Sequence, residues 1–234
     1  MNNLNSAVVD HAICSRRSIR AFLPDQVPSE MISEILQVAS RAPSGSNTQP
    51  WKVYVVTGQT RQKIIDAVCQ TQLHIQQTPD LAQHYVASFD YYPKTWFSPF
   101  IERRRENGLG LYGLLGLAKD NKAGMAAQHL RNYQLFDAPV ALFFTTHQDL
   151  GVGAKMDVAM LMQNVMTAAQ ARGLATCPQA AWNHFHSVVL PHLGAAANEE
   201  LVCAIALGYP DQSALVNEFV TPRVALHEFT VFLD

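Results

Sequence analysis

The stretch AKMDVAMLMQNVMTAAQAR at residues 154–172 decides how this chain has to fold. It reads as a helix that Gly173 ends. Its methionines, valines, leucine and alanines leave almost no polar face, and a helix that is apolar all round is buried on every side. In 234 residues that means either a central helix or one pressed against a second subunit. Working outward, residues 201–207 and 139–146 read as buried strands, and the second holds the longest apolar run, Ala138 to Phe144. Residues 51–57, rich in Val and Tyr, read as a third strand. Helices are expected over 5–14, 29–41, 60–73 and near 121–134, with Ser29 as an N-cap and Met31, Ile32, Ile35, Leu36 and Ala39 on one face. Residues 78–120 are the least regular and suggest a helical excursion carrying exposed aromatics, while 217–234 look extended. Strands and helices without regular βα alternation point to an α+β fold rather than a doubly wound one. No repeat, low-complexity stretch or linker divides residues 1–234, so one domain is expected.

Bulk properties narrow the function. With 48% hydrophobic and 15% charged residues the chain has material for a sizeable core. A net charge of −2 gives no global attraction to nucleic acid or membrane. No apolar run approaches the roughly 18–20 residues of a membrane helix, and the polar start, Met1-Asn2-Asn3-Leu4-Asn5, is no signal peptide. Cys14, Cys69, Cys177 and Cys203 are widely spaced, with no C-x-x-C. Four reduced thiols in a cytoplasmic protein is the expectation.

Four stretches carry candidate chemistry. Ser15-Arg16-Arg17-Ser18-Ile19-Arg20 packs guanidiniums and hydroxyls into six residues, and the planar arginine fork matches phosphate oxygens. The competing reading is a solvated basic stretch at a helix C-terminus. Pro43-Ser44-Gly45-Ser46-Asn47-Thr48-Gln49-Pro50 is either a simple helix-to-strand turn or a set of mixed donors and acceptors for a planar heterocycle. In Thr176-Cys177-Pro178-Gln179-Ala180-Ala181-Trp182, small residues after a proline leave backbone N–H groups free for a ligand. The fourth is Gly208-Tyr209-Pro210-Asp211, followed by Asn217 and by Arg223, a lone charge in an apolar tail that is either a surface residue or a further phosphate contact.

Taken in order, RRSIRAF at 16–22, PSGSNTQPW at 43–51, NYQLFDAPV at 132–140, ATCPQAAW at 175–182 and GYPD at 208–211 with the later arginine resemble the nitroreductase family across essentially the whole chain. The resemblance implies a nitroreductase-like fold, a central mixed but mainly antiparallel sheet flanked by helices, in an intertwined homodimer. It implies FMN as cofactor and NADH or NADPH as reductant, passing electrons by a ping-pong mechanism to nitroaromatic or quinone acceptors. It implies that Arg16 and Arg223 hold the FMN phosphate, that Arg17 and Ser18 bind the phosphate–ribityl region, and that Arg20 lies near the flavin N1/O2 edge, where a fixed cation stabilises negative charge. Pro43, Ser44, Gly45 and Asn47 would come from the other subunit, and the backbone N–H groups of Ala180 and Ala181 would face N5 and O4. The family often carries an acidic residue and a glycine at those last two positions; two alanines here remove any side-chain role.

Tyr91, Tyr92, Trp96, Phe97 and Tyr112 are candidates to line or cover the acceptor site, with ordinary packing as the alternative for each. Two other functions fit the same resemblance: a same-fold flavoenzyme that removes halogen or fragments the flavin, and a non-catalytic flavin-binding module. A dehalogenase acting on an amino acid should carry a charged lid that clamps a zwitterion. Three weaker signals point elsewhere. Gly108-Leu109-Gly110-Leu111-Tyr112-Gly113 matches G-x-G-x-x-G but follows a charged run rather than a strand. His184 and His186 lack the partners of a metal set. Residues 102–106 read as a solvated helix face.

Overall fold

The computed structural model describes residues 3–234; Met1 and Asn2, the start of the polar N-terminus, lie outside the described residues. A four-stranded sheet runs in the order β1-β2-β4-β3, with β1 at Lys52–Val56, β2 at Val140–His147, β3 at Ala175–Gln179 and β4 at Glu199–Gly208. Every strand pair is antiparallel; parallel pairing occurs at one isolated bridge, Ser18 with Thr176. The helices are α1 (Asn3–Ser15), α2 (Ser29–Ala39), α3 (Gly58–Gln77), α4 (Phe100–Leu114), α5 (Lys122–Leu130), α6 (Gly151–Gln170) and α7 (His186–Leu193).

The apolar centres of β2 and β4 follow from their position. Side chains alternate across a strand, and here both faces are covered. Val140, Leu142 and Phe144 of β2 pack with α2 and α6, while Ala141 and Phe143 pack with α3 and α7. Burial on both sides turns the usual alternation into a continuous apolar run. The result is three layers, with the sheet between two helical shells. No helix among the described residues is long and apolar enough to cross a membrane.

Three expectations need correction, and the two alternatives left open for α6 narrow. Helix α2 begins at Ser29 itself, after Pro28, and the Ser29 hydroxyl donates to Glu30 rather than capping the helix. The segment 175–182 holds a strand that its small residues and proline concealed, because edge strand β3 is recruited by tertiary pairing rather than by propensity. The helix expected to reach 134 stops at Leu130, and Leu135, Phe136 and Asp137 take left-handed φ of 55°, 53° and 70°. Such conformations are costly for non-glycine residues; burial of Leu135 and Phe136 in the core holds them there. Finally, α6 is not enclosed by its own chain. Val158, Leu161 and Val165 are buried, but Val152 is 75% and Met156 64% exposed. Its C-terminus is as read: Gly173 has φ 74°, and the Leu174 amide donates back to Ala169.

The excursion at 78–120 consists of a short 3-10 turn, an irregular aromatic stretch and α4. The G-x-G-x-x-G match lies inside α4, where its backbone is committed to helical bonds. Gly110 has a packing role: a Cβ there would sit 2.7 Å from the Phe219 ring, which docks the C-terminal segment on α4. Arg103 adds a 3.5 Å ion pair to Glu228. Beyond the 3-10 turns at Leu215–Glu218 and Leu226–Glu228, residues 217–234 have no regular structure.

Glu199 fastens the open end of the sheet. Its carboxylate accepts from Lys52 Nζ (2.7 Å), Tyr54 Oη (2.8 Å), Thr145 Oγ1 (2.7 Å) and the Ala196 amide (3.0 Å). Burial alone would raise its pKa; the donors outweigh burial and hold it at about 2. A carboxyl depressed in the folded state stabilises above its unfolded pKa, about 4.3, and that stability is lost as pH falls toward about 2. Glu199→Gln is therefore expected to lower stability at neutral pH by about 1–2 kcal/mol, with the gap closing below pH 4. Urea unfolding of both proteins across pH 2.5–7 checks this.

Candidate functional site

The site grows from the free edge of β3. Residues 18–22 lie against it in extended form. The Ile19 amide donates to Thr176 O (3.1 Å), the Phe22 amide to Phe136 O (3.2 Å) and the Leu23 amide to Tyr209 O (2.9 Å). Buried Asn217 completes the attachment: its Oδ1 accepts from the Arg20 amide (2.7 Å), and its Nδ2 donates to Ala21 O and Asp211 O (both 2.8 Å). Four of the five stretches that carry the resemblance, 16–22, 132–140, 175–182 and 208–211, thus meet through backbone bonds, and Asn217 holds them.

An extended backbone sends alternate side chains to opposite sides. Arg16, Ser18 and Arg20 gather around Cys177, while Ile19 enters the core and Arg17 lines a separate cavity of about 460 Å³ with Asp211, Gln212 and Gln170. Burial and the neighbouring Arg223 both lower the proton affinity of the half-buried Arg16 guanidinium. Neither arginine has an ion-pair partner among the described residues; the Arg223 guanidinium is held by its own tail, donating to Thr221 Oγ1 (2.7 Å) and Pro222 O (2.9 Å). Two cations that influence one another and make no ion pair of their own can take an anion; Glu106 and Glu228 share a cavity with Arg223 but accept none of its hydrogen bonds. Buried Thr176 Oγ1 and Gln179 Oε1 also lack partners, and Gln179 lines the cavity that Ala180 and Ala181 also line. A phosphate-bearing polar heterocycle such as FMN fits this donor set. The Cys177 thiol is no nucleophile here: burial pushes its pKa up to about 11 against the pull of Arg20, Ser18 and Arg16.

Past Gln179 the chain enters a 3-10 turn, Ala180–Phe185. The N–H groups of its first residues have no acceptor within the turn. Ala180 and Ala181 face a cavity of about 430 Å³ that Tyr91 and Tyr92 also line. Trp96 touches Tyr92 (ring centroids 5.3 Å), whereas Phe97 packs edge-on against Phe100 and Tyr112 is half-buried away from the cavity wall. Of the five candidate aromatics, then, two line the cavity and a third backs them. One residue that the sequence reading missed sets this arrangement. Buried Asn183 accepts from the Ser88 amide (2.6 Å) and donates to Leu201 O, tying the aromatic stretch to β4. A single polar residue after a tryptophan carries no periodic signal, so nothing local marked it.

Pro43, Ser44, Gly45 and Asn47 stand apart from the arginines. Within the chain their loop is held by α6, where the carboxylate of Asp157 accepts from the Gly45 amide (3.1 Å). Ser44 Oγ accepts from Gln49 N (2.9 Å), and Ser46, Asn47 and Gln49 hold φ of 51°, 57° and 48°. Strained backbone persists only where its surroundings over-determine it. Asp157→Ala is therefore expected to speed amide exchange over 44–49 while the sheet amides stay protected. Equal exchange in both proteins would mean that Asp157 does not hold the loop.

Known proteins agree with this geometry. The family model described as "Nitroreductase family" matches residues 13–209. A 4-nitrobenzoate reductase of Pseudomonas putida is 35% identical over 224 residues, covering 96% of this chain and 95% of that protein. Among solved structures, the FMN and NADPH-dependent nitroreductase NfnB from Sphigopyxis sp. strain HMH superposes with a TM-score of 0.91 at 35% identity, covering 97% of this chain and 99% of that one. The FMN-dependent nitroreductase NfnB from Mycobacterium smegmatis, solved in complex with NADPH, gives 0.90 at 30% identity, covering 98% and 100%. The family model over residues 13–209 and full-length likeness in sequence and shape lead to one assignment: this chain belongs to the nitroreductase family.

Proposed function

We propose that this chain is an FMN-dependent NAD(P)H nitroreductase that works as a homodimer, each copy closing the other's flavin site. The observation that carries the reading is the mutual influence of the Arg16 and Arg223 guanidiniums, neither of which makes an ion pair among the described residues. Bound FMN supplies the two-electron redox chemistry, and the protein supplies position and electrostatics. Arg16 and Arg223 hold the phosphate and Ser18 the adjoining ribityl region. Arg17, on the other side of the extended segment, contributes charge to the same neighbourhood. Arg20, whose amide donates to Asn217, would lie toward the N1/O2 edge and supply positive charge there. The amides of Ala180 and Ala181 donate at the N5 and O4 edge. The reduced nicotinamide and the acceptor then use the neighbouring cavity in turn, a ping-pong scheme, with Tyr91 and Tyr92 as stacking walls.

The dimer rests on surface chemistry. The C-terminal segment exposes Phe229 (68%) and Phe232 (84%), and α6 exposes Met156; apolar surface on this scale marks an interaction face. The loop carrying Pro43, Ser44, Gly45 and Asn47, held rigid yet away from its own arginines, is offered to the neighbouring copy. Four unpaired cysteines suit the cytoplasm, where reduced nicotinamide is available.

The purified protein is expected to be yellow, to elute at twice its 25.9 kDa chain mass, and to oxidise NADPH or NADH when a nitroaromatic or quinone is added. A colourless protein that takes up no added FMN overturns the assignment. Arg16→Ala should weaken FMN binding by about 1.5–3 kcal/mol, the range for a charged hydrogen bond, read by flavin fluorescence titration. Unchanged affinity would place the phosphate elsewhere.

A further inference from the structure

The cavity beside Ala180 and Ala181 has charge of one sign only. Arg104 reaches it from α4, and His129 and His184 also line it; no aspartate or glutamate faces it among the described residues. Arg104 makes no ion pair, unlike its neighbour Arg103, which is engaged with Glu228. Its guanidinium instead lies over the Trp96 ring, 4.9 Å from the centroid, and Trp96 in turn contacts Tyr92 on the cavity wall. Stacking on a ring orients a guanidinium without consuming its hydrogen-bond donors, so the fork stays free for a planar oxyanion. The two imidazoles are near enough to interact: partial burial and the approach of His184 both lower the proton affinity of His129. Two imidazoles and a guanidinium beside aromatic walls match a flat ring that bears a carboxylate. They do not match an amino-acid zwitterion, whose ammonium group would meet three basic groups and no acid.

We propose that Arg104 makes the enzyme select nitroaromatics that carry a carboxylate, reading that group through its free fork. The inference rests on the reading of this cavity as the acceptor site. The test uses the FMN-loaded enzyme with NADPH and two acceptors of nearly the same shape, 4-nitrobenzoate and uncharged 4-nitrobenzamide. Wild type is expected to favour nitrobenzoate in kcat/KM by about tenfold or more, as a charged, bidentate contact should. Arg104→Gln should bring that ratio close to one, mainly through KM for nitrobenzoate, with nitrobenzamide changed less than about twofold; Arg104→Lys should keep part of the preference. Benzoate, which carries no nitro group to reduce, provides a second readout: its perturbation of the flavin absorbance should need at least about tenfold more benzoate in Arg104→Gln. A wild type that does not distinguish the acceptors, or a ratio untouched by Arg104→Gln, overturns the proposal. A wild type that reduces neither acceptor overturns the acceptor-site reading itself and this proposal with it.

Discussion

A short extended segment, residues 18–22, lies against the open edge of β3, and the functional geometry depends on that attachment. An edge strand presents unpaired N–H and C=O groups that invite another strand. Here the segment takes that place through Ile19 and Thr176, and is carried onward by the bonds of Phe22 to Phe136 and Leu23 to Tyr209. Because an extended chain alternates, the pairing sends Arg16, Ser18 and Arg20 one way and Ile19 into the core. The same contact therefore anchors the segment and concentrates positive charge. Concentrated like charge disfavours the ligand-free protein and favours an anionic ligand.

The remaining architecture keeps this edge rigid and leaves other parts free to move. β2 and β4 are sealed between two helical shells, so they form the least deformable part of the molecule. Polar side chains then act as rivets at selected points: Asn217 on the arginine segment, Asn183 on the aromatic stretch, Glu199 on the sheet end and Asp157 on the loop at 43–50. The aromatic stretch has little burial of its own; Tyr91 and Tyr92 stay largely exposed. A cavity with one fixed wall and one lightly held wall suits an enzyme that admits two different flat molecules in succession.

The surface has the same logic. An apolar helix such as α6 cannot be satisfied by one copy of the chain, since its own layer covers only the side with Val158, Leu161 and Val165. The exposed methionine side and the apolar C-terminal segment leave apolar surface of the kind that marks an interaction face. Under the proposed function the loop at 43–50 would couple cofactor binding to assembly, while Arg104, on α4, faces the cavity that Ala180 and Ala181 also line.

The sequence by itself determined the α+β class, the two buried strands and the all-apolar helix with its glycine stop, and it singled out the four stretches offered as candidate chemistry. These are local signals: period, composition and the special chemistry of Gly, Pro and Arg act over a few residues and need no partner to be read. Tertiary structure alone decided the strand at 175–179, the left-handed turn at 135–137, the separation of Arg17 from Arg16 and Arg20, and the roles of Asn183 and Arg104. Each of these depends on what lies across a gap of many residues. A strand made of Ala, Thr, Cys, Pro and Gln exists because β4 pairs with it, and an arginine in a charged run comes to line a cavity because folding places Trp96 beneath it. Pairing and burial are set by the whole chain, so no window of sequence contains them.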